Sequence, residues 1–183
     1  MEELNELVSQ LIQIPSVTSS SSISEVAVFT KSWLEENGVD ASITEDVEGY
    51  PIVMAEIGKG EKTIMLNGHM DVVPVGEESR WTVGPFSGKI ANGKIYGRGT
   101  TDMKAGLAIM MMLMKELKGK VNCRISFVAV SDEETGGFNC SKHLAEEYKP
   151  DLVLVPEPTG LSSIGIGEKG VCHIRIITRG KII

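Results

Sequence analysis

Four short stretches of this sequence carry side chains that could do chemistry: His69 with Asp71, Asp102, the run Asp132 to Glu134, and Glu157. His69 and Asp71 are two apart, so in an extended chain both point to one side. That spacing suits an imidazole that binds a metal through one nitrogen while a carboxylate on the other fixes its tautomer and raises its basicity. Asp102 lies in GRGTTDMKAG, where glycines deliver a carboxylate to the start of an apolar segment. A charge there needs partners or a cation, or else it simply caps a helix. Asp132, Glu133 and Glu134 precede Thr135, Gly136 and Gly137. Adjacent acids repel one another unless solvated or neutralised by cations. At the end of a strand, one of them can bind a metal while its neighbour holds a water. Glu157 stands between Pro156 and Pro158, which fix its backbone. Each stretch alone also reads as a surface pair, a helix cap, a solvated loop or a strand-end turn. Taken in order, H-x-D, D, E-E and E form a donor set suited to two zinc-type ions sharing one bridging carboxylate.

Elements that could position these groups follow from periodicity. Leu4, Leu7, Val8, Leu11 and Ile12 recur at helical spacing until Pro15 forbids continuation. A serine loop follows, and Ser24 is placed to cap a second helix carrying Val26, Phe29, Trp33 and Leu34, ended by Asn37 and Gly38. Strands are expected at 41–44, 52–57 and 63–67, the last leading into His69, and a hairpin around Asn92 and Gly93. From Thr101 to Leu117 apolar residues cover nearly every side of a helical wheel, which predicts a buried helix. Met110, Met111, Met112 and Met114 in it read as core filler rather than soft-metal ligands. The apolar runs 123–130 and 152–155, with a polar helix at 141–148 between them, predict parallel strands in an α/β layered fold. Active residues then belong at the carboxyl ends of the strands.

The 183 residues fit one domain with a substantial core. A net charge of -7 disfavours nucleic acid, which needs a basic face. The acidic start MEELNEL and the lack of a bilayer-length apolar run lead to the expectation of a cytoplasmic protein without membrane partners. Cys123, Cys140 and Cys172 are widely spaced and read as reduced thiols. Gly165, Gly167 and Gly170 match G-x-G-x-x-G, but an alternating β-branched stretch follows where dinucleotide binding needs a helix. No phosphate-binding G-x-x-x-x-G-K-S/T run is present.

The stretches NGHMDVVP (67–74), WTVGPFSG (81–88), IYGRGTTDMKAG (95–106), SDEETGG (131–137) and PEPT (156–159) make the sequence resemble the di-zinc peptidase family of aminoacylase, carboxypeptidase G, acetylornithine deacetylase and succinyl-diaminopimelate desuccinylase. The resemblance implies a three-layer zinc-exopeptidase-like α/β domain with a largely parallel central sheet. It implies hydrolysis of amide bonds in N-acyl amino acids or small peptides by two Zn(2+) ions, with Co(2+) as a substitute. Carried over, His69 and Glu157 hold one metal, Asp102 bridges both, Glu134 holds the second, Glu133 is the general base and Asp71 orients His69. Residues 1–168 would be the catalytic metal-binding domain and 169–183 the first strand of a lid or dimerisation domain, with Gly167 to Gly170 as the hinge. The family's later lid and its late metal-binding histidine have no counterpart here, since neither His143 nor His173 matches a family position. A chain so bounded is expected to be inactive alone, or to be a silent fragment or split subunit that binds metal or a protein partner. An unpaired strand at 171–178 would favour a homodimer.

Overall fold

In the central strands, alternate side chains go to opposite faces, and both faces are apolar. Phe127 and Ala129 of strand β6 (Arg124–Val130) join one core cluster, while Val128 and Val130 join the other. The same division separates Val53 from Ile52 in β2 (Ile52–Ile57) and Leu66 from Met65 in β3 (Thr63–His69). A sheet apolar on both faces must be covered on both, which yields three layers. The computed structural model describes residues 1–45, 47–167, 174–178 and 180.

Helices α1 (Glu2–Gln13), α2 (Ser22–Glu36) and α3 (Ala105–Leu117) cover one face. There α2 lies on β1 (Ala41–Thr44) and β2, α3 lies on β3 and β6, and α1 rests on α3. Cys140 and Leu144, at the start and in the middle of α4 (Ser141–Glu147), pack on the other face. The sheet order is β1-β2-β6-β3-β7, with β7 at Leu152–Leu154. Strands β6, β3 and β7 are parallel, and β1 and β2 extend the sheet antiparallel at one edge. A separate hairpin pairs β4 (Lys89–Ala91) with β5 (Lys94–Tyr96). Because the three parallel strands run together, their carboxyl ends bring residues 69–71, 131–134 and 156–157 to one rim.

Several expected boundaries move. The second helix begins at Ser22 rather than beyond a Ser24 cap, because the turn from Ser20 to Ile23 already starts the winding. The third begins at Ala105, not Thr101: Asp102 (φ -121°, ψ 100°) and Met103 (φ -131°, ψ 31°) leave helical geometry. That helix is also not buried all round, since Ile109 and Leu113, one turn apart, are exposed on the side away from the sheet. Of the expected strand 171–178, positions 171–173 lie outside the described residues, and Ile174, Ile176 and Ile177 are exposed without strand pairing. Of the expected hinge Gly167 to Gly170, positions 168–170 fall outside the described residues, as do Cys172 and His173.

Candidate metal centre

His69 is the last residue of β3 and is buried, 1% exposed. Its Nε2 lies 3.0 Å from Asp102 Oδ1, 3.2 Å from Glu157 Oε1 and 3.9 Å from Glu133 Oε2. One donor atom each from His69, Asp102 and Glu157 lie within 4.8 Å of one another. Three separate elements therefore converge on one imidazole nitrogen: the end of β3, the turn before α3, and the chain leaving β7. Glu134 is outside this trio, although it feels the charges of Asp102 and His69.

Close packing brings the three elements together. A Cβ on Gly106, in the first turn of α3, would stand 2.6 Å from the Pro156 carbonyl oxygen. Only glycine lets α3 come this near to the segment carrying Glu157. Met103 Sδ accepts a hydrogen bond from the His69 backbone amide at 3.2 Å, tying the Asp102 turn to the end of β3.

Asp71 is fully buried and is a hub. Its Oδ1 accepts from the Glu133 amide at 3.3 Å, and its Oδ2 accepts from the Glu134 amide at 3.2 Å and the Thr18 hydroxyl at 2.7 Å. The nearest acceptor to His69 Nδ1 is the Asp71 carbonyl oxygen at 2.9 Å, with carboxylate Oδ1 at 3.5 Å. The H-x-D pair thus holds the ring through backbone and carboxylate together, leaving Nε2 turned to the acids. Asp132, the first of the three acids, turns inward instead: its Oδ2 accepts from the Asn139 and Cys140 amides and so fixes the turn into α4.

Electrostatics match a cation site. Burial opposes a charged His69, but the hydrogen bonds and charge of Asp71, with the charge of Glu157, outweigh it and raise its pKa to about 9. Glu157 and Glu134 are pushed above the usual carboxylate range, first by burial and then by neighbouring carboxylates. Carboxylates that raise one another's pKa around a single imidazole mark excess negative charge, which a divalent cation would relieve. An imidazole and carboxylate oxygens are also the donors expected of a zinc-type ion. The donor set therefore fits a metal.

Sequence reasoning missed two further groups. Lys104 is fully buried, with Nζ donating to the carbonyl oxygens of Leu11 at 2.9 Å and Ile14 at 2.7 Å, and burial pushes its pKa down to about 7 against the pull of Asp71. Thr18, which reaches Asp71, follows α1 in an unremarkable PSVT stretch. A basic residue next to an apolar helix was a usable signal for Lys104; Thr18 had none. His143 lies on α4 beside Glu147 Oε1 at 3.6 Å and outside the donor trio, in keeping with its expected place on a helix face.

Residues 65–181, well over half of the chain, match the family model described as Peptidase family M20/M25/M40. The chain belongs to this family. It is 31% identical over 189 residues to the succinyl-diaminopimelate desuccinylase of Ehrlichia canis, covering 96% of this chain and 49% of that protein. It is 33% identical over 187 residues to the acetylornithine deacetylase of Aliivibrio fischeri, covering 98% and 49%. An M20 family metallo-carboxypeptidase from Sulfolobus solfataricus superposes with a TM-score of 0.77 at 31% identity, covering 85% of this chain and 37% of that one. The chain thus spans about half the length of the curated relatives it matches. Among the described residues, no helix is long and apolar enough to cross a membrane.

Proposed function

We propose that this chain carries the metal-binding and proton-transfer face of a hydrolase that cleaves amide bonds in N-acyl amino acids or small peptides. Acetylornithine and succinyl-diaminopimelate type substrates are the first choice, in line with what the M20 relatives are named for. The observation that carries the reading is the convergence of Asp102 Oδ1 and Glu157 Oε1 on His69 Nε2 at 3.0 and 3.2 Å. In this reading His69 and Glu157 would hold one Zn(2+), Asp102 would serve both ions, and Glu134 would hold the second. Co(2+) would substitute. The bound ions would supply Lewis acidity toward the scissile carbonyl and a water ionised near neutral pH. Glu133, whose Oε2 lies 3.9 Å from His69 Nε2, is the residue to take a proton from that water and hand it to the leaving amine. Asp71 keeps Nε2 facing the acids by holding the other side of the ring. Residues 1–168 would form the metal-binding domain and 169–183 begin a lid.

The carboxylate face is open: the Asp102 and Glu133 side chains are 56% and 52% exposed. An open site gives little shelter from water, so the 183-residue chain by itself is expected to bind at most one metal tightly and to show little or no hydrolysis. Metal analysis after dialysis, with assays on acetylornithine, succinyl-diaminopimelate and dipeptides, tests this. Robust turnover by the isolated chain would refute inactivity alone. A chain extended to the length of its relatives that binds two metals and hydrolyses none of these amides would refute the activity.

A further inference from the structure

The segment leaving α1 lies along the end of β3 as though it were an added strand. Val17 bridges Val72 in parallel, the Val72 amide donates to the Ser16 carbonyl at 2.9 Å, and the Thr18 amide donates to the Val72 carbonyl at 3.1 Å. The Ser16 hydroxyl donates to the Met70 carbonyl at 2.6 Å, and the Thr18 hydroxyl donates to Asp71 Oδ2 at 2.7 Å. Among the described residues, the Thr18 hydroxyl makes the shortest hydrogen bond to the Asp71 carboxylate; the amides of Glu133 and Glu134 stand at 3.3 and 3.2 Å. An O–H donor at that distance from a buried carboxylate is a strong, charge-assisted bond.

We propose that Thr18 is a positioning residue of the metal centre, acting through Asp71 on His69 and on the Glu133–Glu134 loop at once. The inference rests on the reading of His69, Asp102 and Glu157 as metal ligands. Asp71 Oδ2 is shared between Thr18 and the Glu134 amide, while Oδ1 is shared between the Glu133 amide and the side of His69 Nδ1. Rotation of this carboxylate would change the imidazole and the acidic loop together. The Thr18 hydroxyl fixes that rotation from outside both. It works because the backbone carrying Thr18 is itself clamped to residues 70–72 by the bridge and by Ser16. Thr18 therefore sets the angle at which Nε2 meets the acids without touching a metal or substrate.

The test uses the full 183-residue chain with Thr18→Val, which keeps the shape and removes the hydroxyl, and Thr18→Ser, which keeps the hydroxyl and removes a methyl. Zn(2+) affinity is measured by competition with a chromophoric chelator, and the coordination geometry by the visible absorption of the Co(2+) form. Partners that orient a metal-bound histidine typically contribute 10–100-fold in affinity, so Thr18→Val should bind about 10-fold more weakly and shift the Co(2+) bands. Thr18→Ser should restore both. Far-UV circular dichroism of the metal-free proteins checks the fold. If Thr18→Val does not fold, Thr18→Ser still decides, since a packing role for the methyl predicts a weak binder and the hydroxyl role predicts one like the parent. Unchanged affinity and spectrum in Thr18→Val would overturn the proposal, as would a Thr18→Ser variant that binds weakly. A parent chain that binds no Zn(2+) or Co(2+) would instead overturn the metal-centre reading itself.

Discussion

Replacing Gly106 with alanine sets two physical effects against each other. Gly106 is the second residue of α3, and in a helix interior Ala is favoured over Gly by about 1 kcal/mol. Propensity alone therefore predicts stabilisation. The added Cβ, however, would sit 2.6 Å from the Pro156 carbonyl oxygen and 3.0 Å from its Cγ. Reaching ordinary contact at 3.4 Å requires an opening of about 0.8 Å between α3 and the segment carrying Glu157, against backbone rather than a flexible side-chain tip. Such overpacking costs about 1–3 kcal/mol, so the net effect on the metal-free chain should be a loss of roughly 0–2 kcal/mol. The consequence for the site is larger. Metal–ligand distances tolerate only about 0.2 Å, so moving the Glu157 segment by several times that should weaken binding by an order of magnitude or more. Urea denaturation with chelator present reads the first effect, and Zn(2+) competition reads the second. A Gly106→Ala chain about 1 kcal/mol more stable than the parent, with equal metal affinity, would show that the Gly106–Pro156 contact does not set the position of Glu157.

Three other outcomes are expected. Glu133→Gln, in a form of the protein that turns over an N-acyl amino acid, should keep its metal content but lose about 10²–10⁴-fold in kcat, as expected on removal of proton transfer; steady-state kinetics with metal analysis check this. Zn(2+) binding at pH 7.5 should release close to one proton, because His69, with its pKa raised to about 9, is protonated in the metal-free chain; calorimetry in buffers of different ionisation enthalpy measures it, and zero release would contradict the assignment. The third concerns pH and metal-free stability. His69, raised from 6.5 to about 9, contributes stability fully present below pH 6.5 and lost as pH rises through 9, whereas Lys104, lowered from 10.5 to about 7, destabilises most below pH 7 and less as pH rises toward 10.5. The two slopes oppose one another between pH 7 and 9, so Lys104→Met should uncover a decline of up to about 1.4 kcal/mol per pH unit that the parent lacks, seen by urea denaturation at pH 7, 8 and 9.

Local patterns made much of this molecule legible. Period-3.6 apolar spacing and Pro15 located α1, and β-branched runs located β1, β2, β3 and β6 to within two residues. The ordering of H-x-D, D, E-E and E at strand ends anticipated one site for His69, Asp102, Glu133, Glu134 and Glu157; His69, Asp102 and Glu157 lie together, and Glu134 is outside that trio. What stayed hidden depends on contacts between distant parts of the chain. The start of an apolar helix looks the same in sequence whether its first turn is wound or, as at Asp102 and Met103, pulled out by packing, here of Met103 Sδ on the His69 amide. Lys104 stands out in sequence as a basic residue beside an apolar helix, but only the fold carries its Nζ to the end of α1, where it donates to the Leu11 and Ile14 carbonyls. Pairing of Val17 with Val72 is a single bridge, too short to leave a strand pattern.

The same long-range contacts explain why burial is so uneven within the centre. His69 and Asp71 are 1% and 0% exposed, whereas the side chains of Asp102 and Glu157 are 56% and 31% exposed. The buried pair is held from several directions: Asp71 by Thr18 and the Glu133 and Glu134 amides, and His69 by Asp71 and Met103. This makes the imidazole the fixed reference of the site, since a ring hydrogen-bonded on its far side has little freedom to turn. The exposed Asp102 carboxylate can then adjust to an ion placed against Nε2, at little cost because water already solvates it, while Glu157 is held by its packed segment. Reversing the arrangement, with rigid buried acids and a loose imidazole, would bury unpaired negative charge whenever the ion left. The observed arrangement instead places the charge that must be neutralised where solvent can attend it. Asp102 and Glu133 therefore form the solvent-facing side of the centre and His69 its buried side.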